Sequence, residues 1–127
     1  MSESGKKILI IDDEAHIRNV IAMKLKNRGY QVMIAVNGED GLHMIKTQRP
    51  SVVISDIHMP KMDGRSLCEN SKELKKEWQF LTIIMTCSIS SEESNWVGDM
   101  EDTLFMEKPF SPAKLMQKID RYFGMAS

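Results

Sequence analysis

The stretch from Lys7 to Gly29, KILIIDDEAHIRNVIAMKLKNRG, changes its hydrophobic period part-way, and that change decides the architecture. Residues 7 to 11 form the short, branched apolar run of a strand buried on both faces. Beyond them Ile17, Val20, Ile21 and Leu25 recur at three-and-four spacing, the signature of one buried helix face. Lys26 and Arg28 stand in the last turn and Gly29 ends it, as a helix C-terminus requires. Between strand and helix lie three consecutive acids, Asp12, Asp13 and Glu14. Like charges repel and carboxylates at a core edge resist dehydration, so either helix capping or a shared cation must compensate them.

The alternation continues along the chain. YQVMIAV (30–36) predicts a second strand, Asn37-Gly38 a turn, and Leu42, Met44 and Ile45 a second helix that ends before Pro50. VVIS (52–55) predicts a third strand closed by Asp56. After the loop DIHMPKMDG, Leu67, Cys68, Leu74 and Trp78 mark a third helix. LTIIMT (81–86) and TLFME (103–107) predict strands four and five, the latter running into Lys108-Pro109. Ser111 caps a final helix with Pro112 at its first position and Leu115, Met116, Ile119 and Phe123 inward. Between strands four and five, CSISSEESNWVGDMED carries too little apolar surface for more than a short, mobile helix. Five β-then-α units predict a doubly wound α/β fold: one five-stranded parallel sheet with helices on both faces. The expectation is a single domain over residues 1–127, with residues 1–5 flexible and 124–127 a tail.

Composition narrows the function. Seventeen Lys and Arg against eighteen Asp and Glu give a net charge of -1, so no basic field argues for direct nucleic-acid binding. MSESGKK has no signal core, and no apolar run approaches a membrane span, which predicts a cytoplasmic protein without membrane contact. Cys68 and Cys87 lack metal-ligand spacing and fit a reducing compartment. Eleven methionines, most of them in apolar patterns (Met23, Met33, Met44, Met85, Met106, Met116), read as adaptable core filling.

In an open α/β sheet, ligands bind beyond the carboxyl ends of the strands. The residues there are Asp12 and Asp13 after strand one, Asp56 after strand three, Thr86 ending strand four and Lys108 after strand five. Clustered carboxylates raise one another's pKa unless a cation intervenes, and an all-oxygen set suits Mg²⁺. A lysine opposite the metal would complete a site for a phosphoryl group. Asp12 or Asp13 alone reads equally well as a helix N-cap, and Asp56 and Lys108 alone as a turn acid and a solvated charge.

The ordered set DD, then D with IHMPKMDG, then T, then KPF resembles the receiver domain of two-component response regulators over essentially the whole chain, its intervals included. The resemblance implies a CheY-like, flavodoxin-like sheet of order 2-1-3-4-5. It implies that Asp56 accepts a phosphoryl group from a histidine kinase or histidine phosphotransfer protein. It implies further that Asp13, Asp56, Asp12 through a water, and the backbone carbonyl of His58 hold Mg²⁺, while Lys108 and Thr86 meet the phosphoryl oxygens. Thr86 and Phe105 would then switch the surface made by the segment after strand four, strand five and the last helix. Output would pass to another protein or a missing output domain, a phosphorylation-dependent dimer being one form. Glu14 reads as a first-turn acid favoured by the helix dipole.

Departures from the family pattern carry their own expectations. His58, two residues past the acceptor, is expected to affect how water reaches an acyl phosphate rather than to bind metal through its ring. Cys87 stands where a smaller residue is usual, and Phe105 lacks the hydroxyl of the tyrosine often found there. Trp96 reads as a packing residue, or as part of a partner surface. One rival is a Mg²⁺-dependent phosphohydrolase with an aspartyl nucleophile. It would want an acid two residues past Asp56, where His58 stands. The other is a receiver fold that signals by binding alone, which would lack one of the acid, Thr or Lys positions. No phosphate-cradling glycine loop follows the first strand, which excludes a P-loop site.

Overall fold

The computed structural model describes residues 6–12, 14–58, 61–86, 102–107 and 111–124. Asp13, Cys87, Trp96 and Lys108 fall outside these, as do the segment 87–101 expected to hold a weak helix, residues 1–5 and most of the expected tail. In chain order the elements are β1 (Lys7–Ile11), α1 (Ala15–Asn27), β2 (Gln31–Ala35), α2 (Gly38–Gln48), β3 (Val52–Asp56), α3 (Gly64–Ser71), β4 (Leu81–Thr86), β5 (Thr103–Glu107) and α4 (Pro112–Tyr122). The five strands pair in parallel in the order β2-β1-β3-β4-β5.

The period-two pleat divides each strand between two cores. Ile8 and Ile10 join Val52, Ile54, Leu115 and Ile119 beneath α1 and α4, whereas Leu9 and Ile11 join Val53, Ile45, Leu67 and Phe80 beneath α2 and α3. β1, β3 and β4 are thereby covered on both faces, which is why they are mostly apolar, Lys7, Ser55 and Thr82 being the polar residues before their last positions. No helix among the described residues is long and apolar enough to cross a membrane.

Helix boundaries follow local chemistry. Gly29 takes φ +92° after α1, and the Gly29 and Tyr30 amides donate to Lys26 and Leu25 carbonyls that the helix end leaves over. Ser111 accepts from the Lys114 amide ahead of α4, with Pro112 in the first turn. Asn37-Gly38 is a helix start rather than the expected turn. Asn37 Oδ1 accepts from the Asp40 amide at 2.8 Å, so the same short polar side chain that suits a turn serves as an N-cap.

The third helix is shorter than the spacing of Leu67, Cys68, Leu74 and Trp78 predicts. It ends at Ser71 and tightens into a 3₁₀ turn over Lys72–Lys76. Asn70 and Ser71 side chains bond to the Ser66 and Cys68 carbonyls, competing with the helical ladder. Lys75 Nζ then donates to Phe80 O at 2.6 Å and to Asp102 O at 3.2 Å, tying the turn to the starts of β4 and β5. Trp78 lies beyond the turn, donates to Pro50 O at 2.8 Å and stacks on Phe80.

Met23 departs from the expected core filling. It is 63% exposed because it faces past the edge strand β2, whereas Met85, Met106 and Met116 are buried. Val36, expected to end β2, lies one residue outside it and is exposed.

Candidate functional site

β1, β3 and β4 deliver their last residues to one edge of the sheet. Asp12 follows β1 and is fully buried, Asp56 is the last residue of β3 and 7% exposed, and Thr86 ends β4, buried. The Asp12 amide donates to Ala35 O and the Ile57 amide to Met85 O, so the sheet ladder runs past both acids and fixes their backbones. Ser55, wholly buried, donates its hydroxyl to the Asp56 carbonyl at 2.8 Å.

The turn between β1 and α1 is held by short polar links. Asp12 Oδ1 accepts from the Glu14 amide at 2.9 Å, and Arg18 Nη1 donates to the Asp12 carbonyl at 2.8 Å. Glu14 is the residue preceding α1 and its side chain makes no capping bond, so it is not the first-turn acid the sequence suggested. Its carboxylate instead joins Asp12 and Asp56, with one oxygen of each lying within 4.8 Å of the others. At that separation two like charges near a protein surface repel by about 3 kcal/mol, more than the ~1 kcal/mol a helix cap supplies. The three acids are of the type and spacing that could hold an oxygen-ligating divalent cation, which would offset that repulsion. Among the described residues this is the one group of three acids, histidines or cysteines close enough to hold a metal.

The loop after β3 is pressed against Asp56. Gly64, first residue of α3, sends its amide to Ile57 O at 2.8 Å. A Cβ on it would come within 2.8 Å of the Asp56 carbonyl oxygen. Asp63 caps α3 by accepting from the Ser66 amide. The His58 amide lies 3.4 Å from Asp56 Oδ1, and its side chain is exposed. Phe105, half-buried in β5, packs against Ile57, Cys68 and Ile84, the small core under the site. Burial pushes the Cys68 thiol up to about 12, so it stays protonated.

Residues 8–120 match the family model of the response regulator receiver domain. The chain belongs to that family. It is 38% identical over 115 residues to the probable transcriptional regulator ycf27 of Porphyridium aerugineum, covering 90% of this chain and 46% of that protein. It is 31% identical over 116 residues to the alkaline phosphatase synthesis transcriptional regulatory protein PhoP of Bacillus subtilis (strain 168), covering 91% and 47%. The chain thus spans about half the length of the curated relatives it matches. Among solved structures, the receiver domain protein (CheY-like) from Methanospirillum hungatei JF-1 superposes with a TM-score of 0.86, 29% identity and 94% coverage of both chains. Chemotaxis protein CheY4 of Vibrio cholerae gives a TM-score of 0.76 at 28% identity, covering 91% of this chain and 97% of that one.

Of the residues expected to act in this receiver domain, Asp12 and Asp56 are brought together, and Thr86 ends the strand paired beside β3. Asp13 and Lys108 lie outside the described residues. Two participants were not anticipated: Glu14 as a member of the acid group, and Arg18 as the tie on the Asp12 carbonyl. The spacing Asp12-x-Glu14 just before a helix is the signal that could have found the first, since an Asx turn draws the Glu14 backbone in toward the Asp12 carboxylate.

Proposed function

We propose that this receiver domain is a phosphoacceptor in which Asp56 takes a phosphoryl group from a phosphohistidine of a histidine kinase or histidine phosphotransfer protein. The observation that carries the reading is the convergence of the buried Asp12 and Asp56 carboxylates with Glu14 at the carboxyl edge of a receiver-family sheet. A carboxylate oxygen of Asp56 forms the new bond to phosphorus as the phosphorus–nitrogen bond breaks. The electron pair and a proton go to the imidazole, and the product is an aspartyl phosphate.

Asp12, Asp13 and Asp56, with the His58 carbonyl, would hold Mg²⁺, and Glu14 is near enough to contribute directly or through water. The cation, when bound, supplies charge neutralisation between these acids and the incoming dianion. The chain's own part is positioning: the ladder on either side of Asp56 and the Ser55 hydroxyl fix the acceptor, and Gly64 leaves room for it. Lys108 would pair with phosphoryl oxygens and Thr86 would donate its hydroxyl to them. The new charge, roughly -1.5 to -2 with three acceptor oxygens, would draw Thr86 and repack Phe105, changing the β5 and α4 surface that a partner reads.

The similar ycf27 and PhoP proteins are named transcriptional regulators, which favours a transcriptional output exerted through a further domain or a separate protein. The test is incubation with acetyl phosphate and Mg²⁺ followed by intact mass. One phosphoryl mass that disappears with EDTA and in Asp56→Ala supports the reading. An adduct that survives Asp56→Ala overturns it. Repeated release of phosphate from small phosphoesters would instead indicate a phosphohydrolase. His58→Ala should change the lifetime of the adduct, and an unchanged lifetime removes His58 from that role.

A further inference from the structure

Arg18 stands one turn into α1 and is bonded at both its ends to the acids that precede the helix. Its backbone amide donates to Glu14 O at 3.1 Å, while its guanidinium Nη1 reaches back to Asp12 O at 2.8 Å. The Glu14 amide in turn donates to Asp12 Oδ1 at 2.9 Å. These three bonds close a ring through Asp12, Glu14 and Arg18, and the two carboxylates it contains are the ones that meet Asp56. The arginine bears a cost for this. Its Nε–H is buried and has no hydrogen-bond acceptor among the described residues. An unmet buried donor is destabilising, so a side chain kept only for stability would be better replaced by an apolar one of similar length.

We propose that Arg18 is a positioning residue for the cation site. By gripping the Asp12 carbonyl it sets the turn that aims the Asp12 and Glu14 carboxylates at Asp56. The inference rests on the cation-assisted reading above and goes beyond it, because Arg18 is not among the residues that reading assigns to the metal or the phosphoryl group. Charge and geometry predict opposite signs. A guanidinium beside the site repels a divalent cation, so if its charge were what mattered, removing it would tighten Mg²⁺ binding. If it orients the ligands, removing it weakens binding, by about 10- to 100-fold as for other residues that orient metal ligands.

The experiment is a Mg²⁺ titration of the full chain followed by amide chemical shifts, with Arg18→Met, which keeps the packing of the stem and removes the donors. Arg28→Met serves as a control, since it cuts an arginine bond to Asp120 at the far end of α1. Arg18→Met should weaken Mg²⁺ at least tenfold and Arg28→Met should leave it unchanged. Metal-free exchange of the Glu14 amide should also quicken in Arg18→Met alone. Mg²⁺ binding as tight as in the wild type, or tighter, overturns the proposal, as does an equal loss in Arg28→Met. Absence of Mg²⁺ binding in the wild-type chain, or binding undiminished in Asp56→Ala, sinks the cation site itself. The Glu14 exchange rate then decides Arg18 alone: quickened exchange upholds its grip on the turn, and unchanged exchange removes it.

Discussion

Replacing Gly64 by alanine should damage the site more than the fold. A Cβ there would lie 2.8 Å from Asp56 O and 2.9 Å from Ile57 Cα, both backbone atoms that cannot rotate away. Ordinary carbon contacts need about 3.5 Å or more, so α3 and the end of β3 must part by roughly half an ångström. Overpacking of this kind costs about 1–3 kcal/mol, offset by up to ~1 kcal/mol from alanine's better helix propensity. A net loss of about 1–2 kcal/mol leaves a domain of ordinary stability folded. The moved atoms belong to the proposed acceptor, however, and a misplacement of 1 Å costs on the order of 10²-fold in rate, so about tenfold is expected here. Gly29→Ala is the contrast. Gly29 has φ +92° and nothing within 4 Å of a new Cβ, so it suffers backbone strain of about 1 kcal/mol without touching the site. Urea unfolding of both variants, with acetyl-phosphate labelling rates by intact mass, makes the comparison. Equal stability losses with a wild-type labelling rate for Gly64→Ala would refute the argument that close packing against β3 sets the acceptor.

Asp120, buried on α4, accepts from Arg28 and from the Tyr30 hydroxyl and so ties α4 to the α1–β2 connection. Asp120→Ala should cost about 2–3 kcal/mol by urea unfolding. Glu77→Ala, at a pair whose side chains are both more than half exposed, should cost under about 0.5 kcal/mol. Cys68 should resist iodoacetamide at pH 8 in a Cys87→Ser background until denaturant is added, because its buried thiol stays protonated. Folding holds that proton from the usual value of 9.0 up to about 12, while the unfolded chain releases it. Stability therefore falls as pH rises through that window, and Tyr122, pushed by burial from 10.0 to about 12, adds to the fall. Cys68→Ala should flatten the alkaline slope of denaturant midpoints.

The strands were legible because each core strand is buried on both faces and so reads as a mostly apolar run, with Asp12, Asp56 and Thr86 at or just past its end marking the candidate site's edge. What escaped depends on geometry that a linear pattern does not contain. Asn37-Gly38 carries turn chemistry, and the same Asn side chain caps α2 once the chain turns into a helix. Leu74 and Trp78 keep helical spacing with Leu67, yet Lys75 is captured by two carbonyls and the turn tightens beneath them. Met23 has the neighbours of a core residue in sequence but faces beyond the last strand of the sheet. Glu14 looked like a dipole acid because helices favour acids at their starts. Only the folded turn brings one of its carboxylate oxygens within 4.8 Å of oxygens of Asp12 and Asp56.

β1 and β3 are neighbours in the sheet, but α1, β2 and α2 lie between them in the chain. Parallel pairing demands such a crossover, and contacts that must wait for it form late. Asp12 and Asp56 thus meet only after half the polypeptide has wound into place, and Thr86 is added by the strand after that. A chain still emerging from the ribosome has an acid without its partner, and a misfolded one has both without their shared corner. If Asp56 takes a phosphoryl group as proposed, the molecule is deaf to that signal until it has finished folding, and an incomplete copy cannot draw phosphate away from complete ones.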